Sequence, residues 1–109
     1  MSTPEGKVKA QIKKYLKTLK AYWFLPVSNG MGAHGIPDII ACVPTVITQD
    51  MVGKEFGLFV GIEVKKPGRR GEKNAGASAL QMVQIGAINT AGGKAGVCDC
   101  VEQVEELLI

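Results

Sequence analysis

The chain has few of the residues on which metal-cluster and disulfide-rich proteins depend. It is 109 residues long and contains three cysteines, one histidine and one tryptophan. An odd cysteine count argues against a disulfide framework. Cys98 and Cys100 have one residue between them, whereas the cysteines of common zinc knuckles have two, and no second pair exists. We therefore expect these two cysteines and Cys42 to be small core or near-core residues.

Long hydrophobic runs are also missing. No apolar segment is near the length of about 20 residues that is needed to span a bilayer. Lysines from Lys7 onward interrupt any apolar core of an N-terminal signal peptide. We expect a cytoplasmic protein with no membrane partner. With 46% hydrophobic and 21% charged residues, the composition fits a soluble globular protein, and the length predicts one domain, 1–109.

The net charge of +3 is small, but the basic residues are unevenly distributed. Six of the 13 basic residues are lysines within the first 20 positions, and a second basic group lies at 65–73. The segment from Asp99 onward has acidic residues and no basic one. Such a chain can bind a polyanion with one face. A solvated, lysine-rich helix face explains the same pattern, and charge alone slightly favours that simpler interpretation.

Hydrophobic periodicity predicts an α/β domain in the order helix, three strands, helix, strand, helix. In the first helix an apolar stripe recurs at spacings of three and four, and in the second helix Leu80, Val83, Ala87 and Ile88 form the predicted buried stripe. The segment 28–35 is predicted as a loop, 44–57 as a hairpin extension and 68–77 as a mobile polar loop. The predicted elements are Ser2–Lys20, Tyr22–Val27, Ile36–Val43, Leu58–Lys66, Ser78–Thr90, Lys94–Cys98 and a short helix from Asp99 or Cys100.

Charged residues occur in two apolar strands where none is expected. "GIPDII" (35–40) contains Asp38, and "GIEVKKP" (61–67) contains Glu63 and Lys65. Side chains two apart in a strand share a face, so Glu63 and Lys65 point to one side, with Val64 in the core behind them. Sequential strands usually pair, so we expect Asp38 to lie beside them.

Two carboxylates and an ammonium group at one place on a sheet suit a divalent cation. Burying such charges without partners costs roughly several kcal/mol each. Magnesium prefers oxygen ligands and takes one or two carboxylates together with waters and phosphate oxygens. A neighbouring lysine can hold or deprotonate a water, or offset charge on a phosphate. The set indicates phosphodiester hydrolysis; the alternative is a structural Glu63–Lys65 salt bridge with Asp38 as a turn residue after Pro37.

In this order, "GIPDII", "IEVKKP" and "SALQMVQIGAINTAGGKAGV" resemble the PD-(D/E)xK nuclease superfamily. More closely, the chain resembles the virus-type replication-repair nuclease (VRR-NUC) domain of the stand-alone phage and bacterial type, from Glu5 to the last helix. The resemblance implies a restriction-endonuclease-like core in which helices flank a mixed central sheet. It also implies Mg²⁺ or Mn²⁺ bound by Asp38, Glu63 and the Val64 carbonyl, with Lys65 as the catalytic lysine.

Two further residues match catalytic positions of that family, and each has a second explanation. Gln81 matches a helix glutamine that orients the site, but Ser78 and Gln81 also have the spacing of a capping box. The two roles can coexist if the side chain faces the sheet. Glu5 matches an early glutamate that could reach the metal cluster, and a capping box with Ser2 explains it about equally well.

Basic residues on either side of the expected cleft would hold phosphates and position a duplex without recognising its sequence. No recognition helix, zinc module or aromatic stacking motif accompanies them, so we expect selectivity for DNA structure. The predicted DNA-binding residues are Lys13, Lys17, Lys66, Arg69, Arg70 and Lys73.

The resemblance also implies a partner and an assembly. It predicts a homodimer that acts on branched or duplex DNA and cuts four-way junctions, as a Holliday-junction resolvase does. Two other functions fit the same fold. One is a non-catalytic nucleic-acid-binding module, which the intact Asp38, Glu63 and Lys65 disfavour. The other is a sequence-specific restriction-type nuclease, for whose recognition elements the chain has no spare length.

Overall fold

The computed structural model describes residues 3–27 and 35–109. Apart from Gly35, the predicted loop 28–35 lies outside the described residues. The chain divides into two compact units, Met1–Pro44 and Thr45–Ile109. The described residues form three α-helices and four strands in the predicted order, which confirms the α/β class. None of the helices in these residues is long and apolar enough to cross a membrane.

The first unit consists of a helix and an antiparallel strand pair. Helix α1 spans Pro4–Thr18, and strands β1 (Tyr22–Phe24) and β2 (Ile40–Cys42) pair with each other. The Thr3 hydroxyl caps α1 by accepting a hydrogen bond from the Gly6 N–H at 2.9 Å. The cap therefore lies one residue later than predicted, and Ser2 lies outside the described residues.

Helix α1 leaves much of its apolar stripe exposed. No residue of α1 is buried, and Val8, Ile12 and Tyr15 are exposed. The more covered positions lie three or four residues apart, on one face of the helix. They are Gly6, Lys9, Lys13 and Leu16.

The second unit is a β–α–β arrangement followed by a short helix. Strands β3 (Val60–Val64) and β4 (Lys94–Cys98) are parallel, with Gly61 opposite Ala95 and Glu63 opposite Val97. Helix α2 (Ala79–Thr90) connects them, and helix α3 (Val101–Leu107) follows β4. A crossover between parallel strands returns the chain to the start of the sheet, so α2 runs antiparallel to both strands.

Helices α2 and α3 pack on opposite faces of the β3–β4 pair. A Cβ atom at Gly61 would lie 2.8 Å from Cδ1 of Ile88, so the Ile88 side chain of α2 packs directly on the bare backbone of β3 here. A Cβ atom at Gly96 would lie 3.3 Å from Cδ1 of Leu107 in α3. Ala95 shares the Gly61 face, and the next residue in a strand points to the opposite face.

The buried face of α2 differs from the predicted stripe. Ile88 is 7% exposed, but Leu80 is 72% exposed, and Val83 and Ala87 are also exposed. Because Ile88 packs at Gly61, the positions three and seven residues before it turn inward as well. The inward side of α2 carries Gln81, Met82, Ile85 and Ile88.

Strand β3 likewise turns its apolar side outward. Val64 is 72% exposed and Ile62 is also exposed, whereas Glu63 is half-buried. The prediction that Val64 lies in the core is therefore wrong. Helix α2 covers the Gly61 face, and α3 contacts β4 on the other face, which leaves the outer side of β3 uncovered.

Strand β2 is shorter than predicted, and Asp38 precedes it. The chain bends at Asp38, and the strand begins only at Ile40. Pro37 has no N–H to donate and Gly35 has a positive φ of 80°, so a regular strand does not extend back to them. Among the described residues β2 pairs with β1, and β3 pairs with β4. The predicted hydrogen-bonded pairing of β2 with β3 is therefore wrong for these residues.

The predicted hairpin at 44–57 does not form. All of these residues are described, and their only regular element is a 3-10 helix at Gln49–Met51. The Thr48 hydroxyl donates to the Asp50 carboxylate at 2.5 Å, and this bond lowers the pKa of Asp50. Such local side-chain bonds compete with strand pairing, which accounts for the turn found here.

The cysteine prediction is confirmed for two of the three residues. Cys42 and Cys98 are buried, in the first and second unit respectively. Cys100 is exposed at the N-cap of α3, so its assignment to the core is wrong. All three are free thiols.

Candidate functional site

Glu63 and Lys65 lie on the face of the β3–β4 pair that α2 covers. Strand side chains alternate, so both share the side of Gly61, against which Ile88 packs. Both are half-buried. The Lys65 N–H donates to the Cys98 carbonyl at 3.0 Å, so the ladder fixes Lys65 although β3 ends at Val64. A carboxylate and an ammonium group thus occur together at the carboxyl end of β3.

The described residues do not support a structural salt bridge between these two groups. Their ion pairs join Lys9 to Asp38, Arg69 to Glu72 and Arg70 to Glu106. Within residues 3–27 and 35–109, none joins Glu63 to Lys65. The two side chains therefore share a face without neutralising each other directly.

Gln81 lies near the end of α2 that is closest to these groups. It precedes Ile88 by seven residues, about 10 Å along an α-helix at about 1.5 Å per residue. Lys65 follows Gly61 by four residues, about 13 Å along a strand at about 3.3 Å per residue. Since α2 runs antiparallel to β3 and Ile88 marks the level of Gly61, Gln81 lies at a height between Glu63 and Lys65.

The predicted capping box at the start of α2 is confirmed. The Ser78 hydroxyl accepts from the Gln81 N–H at 3.1 Å, and Gln81 Oε1 accepts from the Ser78 N–H at 2.9 Å. Gln81 is also half-buried on the inward side of α2. The cap uses the amide oxygen, so the amide NH₂ is the part of the side chain suited to a second role.

The Val64 carbonyl lies at the edge of β3 away from β4. The Phe59 carbonyl accepts from the Lys94 N–H at 2.9 Å, and the Lys65 N–H donates to Cys98, so odd-numbered residues of β3 bond to β4. The polar backbone groups of the even-numbered residues, Val64 included, point to the other edge. The Glu63 carboxylate and this carbonyl are adjacent hard oxygen donors, the type of ligand that Mg²⁺ takes.

A small cavity lies beside Lys65 at the carboxyl ends of β3 and β4. Its volume of about 20 Å³ accommodates one water-sized group. Gln103 Oε1 accepts from the Asp99 N–H at 2.6 Å, which fixes the chain where β4 passes into α3. Neither Asp99 nor Gln103 was predicted as a site residue. The lining residues are Lys65, Arg70, Ala75, Val97, Asp99 and Gln103.

The loop 68–77, predicted to be mobile, is folded on itself. Arg69 donates from Nε and Nη2 to the Glu72 carboxylate at 2.8 to 3.1 Å, and these bonds hold the pKa of Glu72 below its ordinary value. A Cβ atom at Gly76 would lie 2.8 Å from Arg69 Nε, so the guanidinium also packs against the loop. Arg70 is 66% exposed and reaches Glu106 at 3.9 Å.

The first unit contains the other two predicted carboxylates. Asp38 is 67% exposed at the bend before β2, and its Oδ2 lies 3.8 Å from Lys9 Nζ on α1. Glu5 is exposed in the first turn of α1. Since Thr3 is the N-cap, Glu5 is not at the position of a capping-box partner, and the capping explanation for Glu5 is wrong.

The remaining predicted DNA-binding residues are spread over both units. Lys13 on α1 is half-buried, and Lys17, Lys66 and Lys73 are exposed. Of the predicted catalytic and DNA-binding residues, all of which the structure describes, only Lys65 and Arg70 line the cavity at the carboxyl ends of β3 and β4. No three His, Cys, Asp or Glu side chains within residues 3–27 and 35–109 form a group that could hold a metal. Asp38 and Glu63 belong to different units, and their joint binding of a cation stays a prediction.

Comparisons with known proteins add no relative. No protein-family model matches the chain, and neither a curated protein nor a solved structure does.

The capping box predicts how two substitutions of Gln81 change the stability of the protein. Gln81→Ala should lower the free energy of unfolding by about 1 kcal/mol, as loss of a helix cap does. Gln81→Glu should leave it nearly unchanged, because Glu also accepts the Ser78 N–H bond and suits a helix N-terminus. Urea unfolding of both variants measures the difference. Equal destabilisation by both would contradict a cap formed by the Gln81 side chain.

Proposed function

We propose that this protein is a metal-dependent endonuclease of the PD-(D/E)xK superfamily, of VRR-NUC type. The observation that carries the proposal is the placement of Glu63 and Lys65 together on the α2-covered face, at the carboxyl end of a parallel strand pair. In open α/β sheets, this end of the strands is where ligands bind. Gln81 lies on the facing side of α2, at a height between Glu63 and Lys65.

Each residue of the proposed site has its own chemical role. Glu63 and the Val64 carbonyl would hold Mg²⁺ or Mn²⁺, and Asp38 supplies the second carboxylate on the basis of its sequence motif. A bound cation of this kind polarises a phosphate and makes a bound water a better nucleophile. As an ammonium ion, Lys65 holds the attacking water or offsets charge on the phosphate oxygens; as the neutral amine, it takes a proton from that water. The Gln81 amide and Glu5 orient the groups around them.

The proposed substrate is branched DNA, with a homodimer cutting four-way junctions. This part rests on the resemblance to stand-alone VRR-NUC domains and on the basic residues of both units. Arg70, exposed and lining the cavity beside Lys65, is the residue of the loop 68–77 best placed to contact a phosphate next to the cleaved one.

Metal dependence and the role of Lys65 can be tested together. The protein is incubated with labelled four-way, flap and linear DNAs in Mg²⁺, in Mn²⁺ and in excess chelator. Cleavage should require the cation, and Lys65→Ala should slow it about 100- to 1,000-fold, as loss of one charge-stabilising donor does. Asp38→Asn should abolish cleavage, and in both variants DNA binding and the melting temperature should change little.

Matched controls make this result specific. Lys54→Ala and Glu105→Gln remove the same charges from exposed positions outside the proposed site and should cut at the parental rate. Full activity in chelator would contradict the metal site. Binding of junctions by the parent without cleavage in either metal would favour the non-catalytic binding module.

The two arginines of the loop should differ in their effect on DNA binding. Arg70→Ala should weaken binding and flatten the plot of log affinity against log salt by about one unit of slope. Arg69→Ala should change the slope less, because Glu72 already neutralises its guanidinium. Fluorescence anisotropy over a salt series in chelator measures both.

Glu72→Gln is the complementary variant. It removes the partner of Arg69, so the salt dependence of binding should become steeper than in the parent. Equal slopes for Arg69→Ala and Arg70→Ala, together with no effect of Glu72→Gln, would show that DNA displaces Glu72 from Arg69. The effects should not depend on junction sequence, since phosphate contacts carry no base information.

A further inference from the structure

Asp99 directly follows β4, as Lys65 directly follows β3. The register pairs Glu63 with Val97 and Val64 with Cys98, and the Lys65 N–H bond to Cys98 continues the ladder beyond the end of β3. Lys65 and Asp99 are the residues that follow the last pair of this register, Val64 with Cys98. Both residues line the same cavity.

Asp99 is the least exposed acidic residue of the C-terminal segment, and a hydrogen bond holds its backbone. Its N–H donates to Gln103 Oε1 at 2.6 Å, and Asp99 is half-buried. The remaining acidic residues of this segment are exposed on α3: Glu102, Glu105 and Glu106.

Arg70, the other positively charged residue that lines the cavity, is already paired with a carboxylate. Arg70 Nη2 lies 3.9 Å from Glu106 Oε2 on α3. Asp99 is therefore the cavity's one carboxylate, among lining residues that are all described, and Lys65 is the cation opposite it. The cavity that both residues line has a volume of about 20 Å³, which is room for one water. A single water of this kind can bridge two polar groups.

We propose that Asp99 is a positioning residue for Lys65: its carboxylate, acting through one water, sets the direction of the Lys65 ammonium group on the α2-covered face. The inference rests on the proposed nuclease function. Without this carboxylate, Lys65 would be free to follow other anions, including DNA phosphates away from the reaction centre. Asp99 itself contacts neither the cation nor the cleaved phosphate.

The test compares Asp99→Asn with the parent on a four-way junction. Asparagine keeps the size of the side chain and removes its charge. The single-turnover cleavage rate in Mg²⁺ should fall about 10- to 100-fold, the usual loss when the partner of an active-site group is removed. DNA affinity in chelator should stay equal or rise, because a negative charge beside Lys65 and Arg70 is gone. Asp99→Glu, which restores a carboxylate, should recover much of the rate.

Glu105→Gln is the matched control, since it removes one exposed charge from the same segment. It should cut like the parent. A parental cleavage rate for Asp99→Asn would overturn the inference. A fall in rate together with losses of DNA affinity and of melting temperature would overturn it as well, because that combination marks a purely structural role. If the parent itself cuts no DNA in Mg²⁺ or Mn²⁺, the proposed function fails and this inference fails with it. If the parent cuts DNA and Asp99→Asn cuts at the same rate, only the inference about Asp99 fails.

Discussion

The close approach of Ile88 to the bare backbone at Gly61 determines where the polar groups of the second unit lie. A side chain at position 61 would meet the Ile88 methyl group at 2.8 Å, and either the Ile88 side chain or α2 would have to shift. With α2 seated there, strand alternation brings Glu63 and Lys65 to the covered face and Val64 to the exposed one. The same contact turns Gln81 inward, seven residues earlier on the helix. A small residue within an apolar strand thus decides the side on which the candidate chemistry occurs.

Much of the fold follows from local patterns in the sequence. The order of elements, the bounds of β4 and the capping box at Ser78 and Gln81 were all predicted, because propensity, periodicity and turn residues act over short distances. The predicted faces of α2 and β3 were wrong for a tertiary reason. Alternation shows which residues share a side, but only the contact at Gly61 shows which side is covered, and hydrophobicity alone pointed to Val64.

The candidate site shows the same division between local and long-range information. Glu63, Lys65 and Gln81 could be selected from their motifs, whereas Asp99 required the parallel register of β3 with β4, which brings together residues far apart in the chain. The pairing of Arg69 with Glu72 was also missed, although the two are only three residues apart. The loop 68–77 was predicted to be mobile from its glycine content. That prediction did not consider the hydrogen bonds from Arg69 to Glu72 or the packing of Arg69 at Gly76.

Cation binding at Glu63 is the central claim, and it can be measured without any substrate. Amide NMR signals of the ¹⁵N-labelled protein are followed while substoichiometric Mn²⁺, a paramagnetic ion, is added. The account predicts that broadening is strongest around Glu63, Val64, Lys65 and Asp38, that Glu63→Gln removes it, and that Glu105→Gln does not. Broadening centred on the exposed acidic residues of α3, or broadening unchanged by Glu63→Gln, would contradict the account.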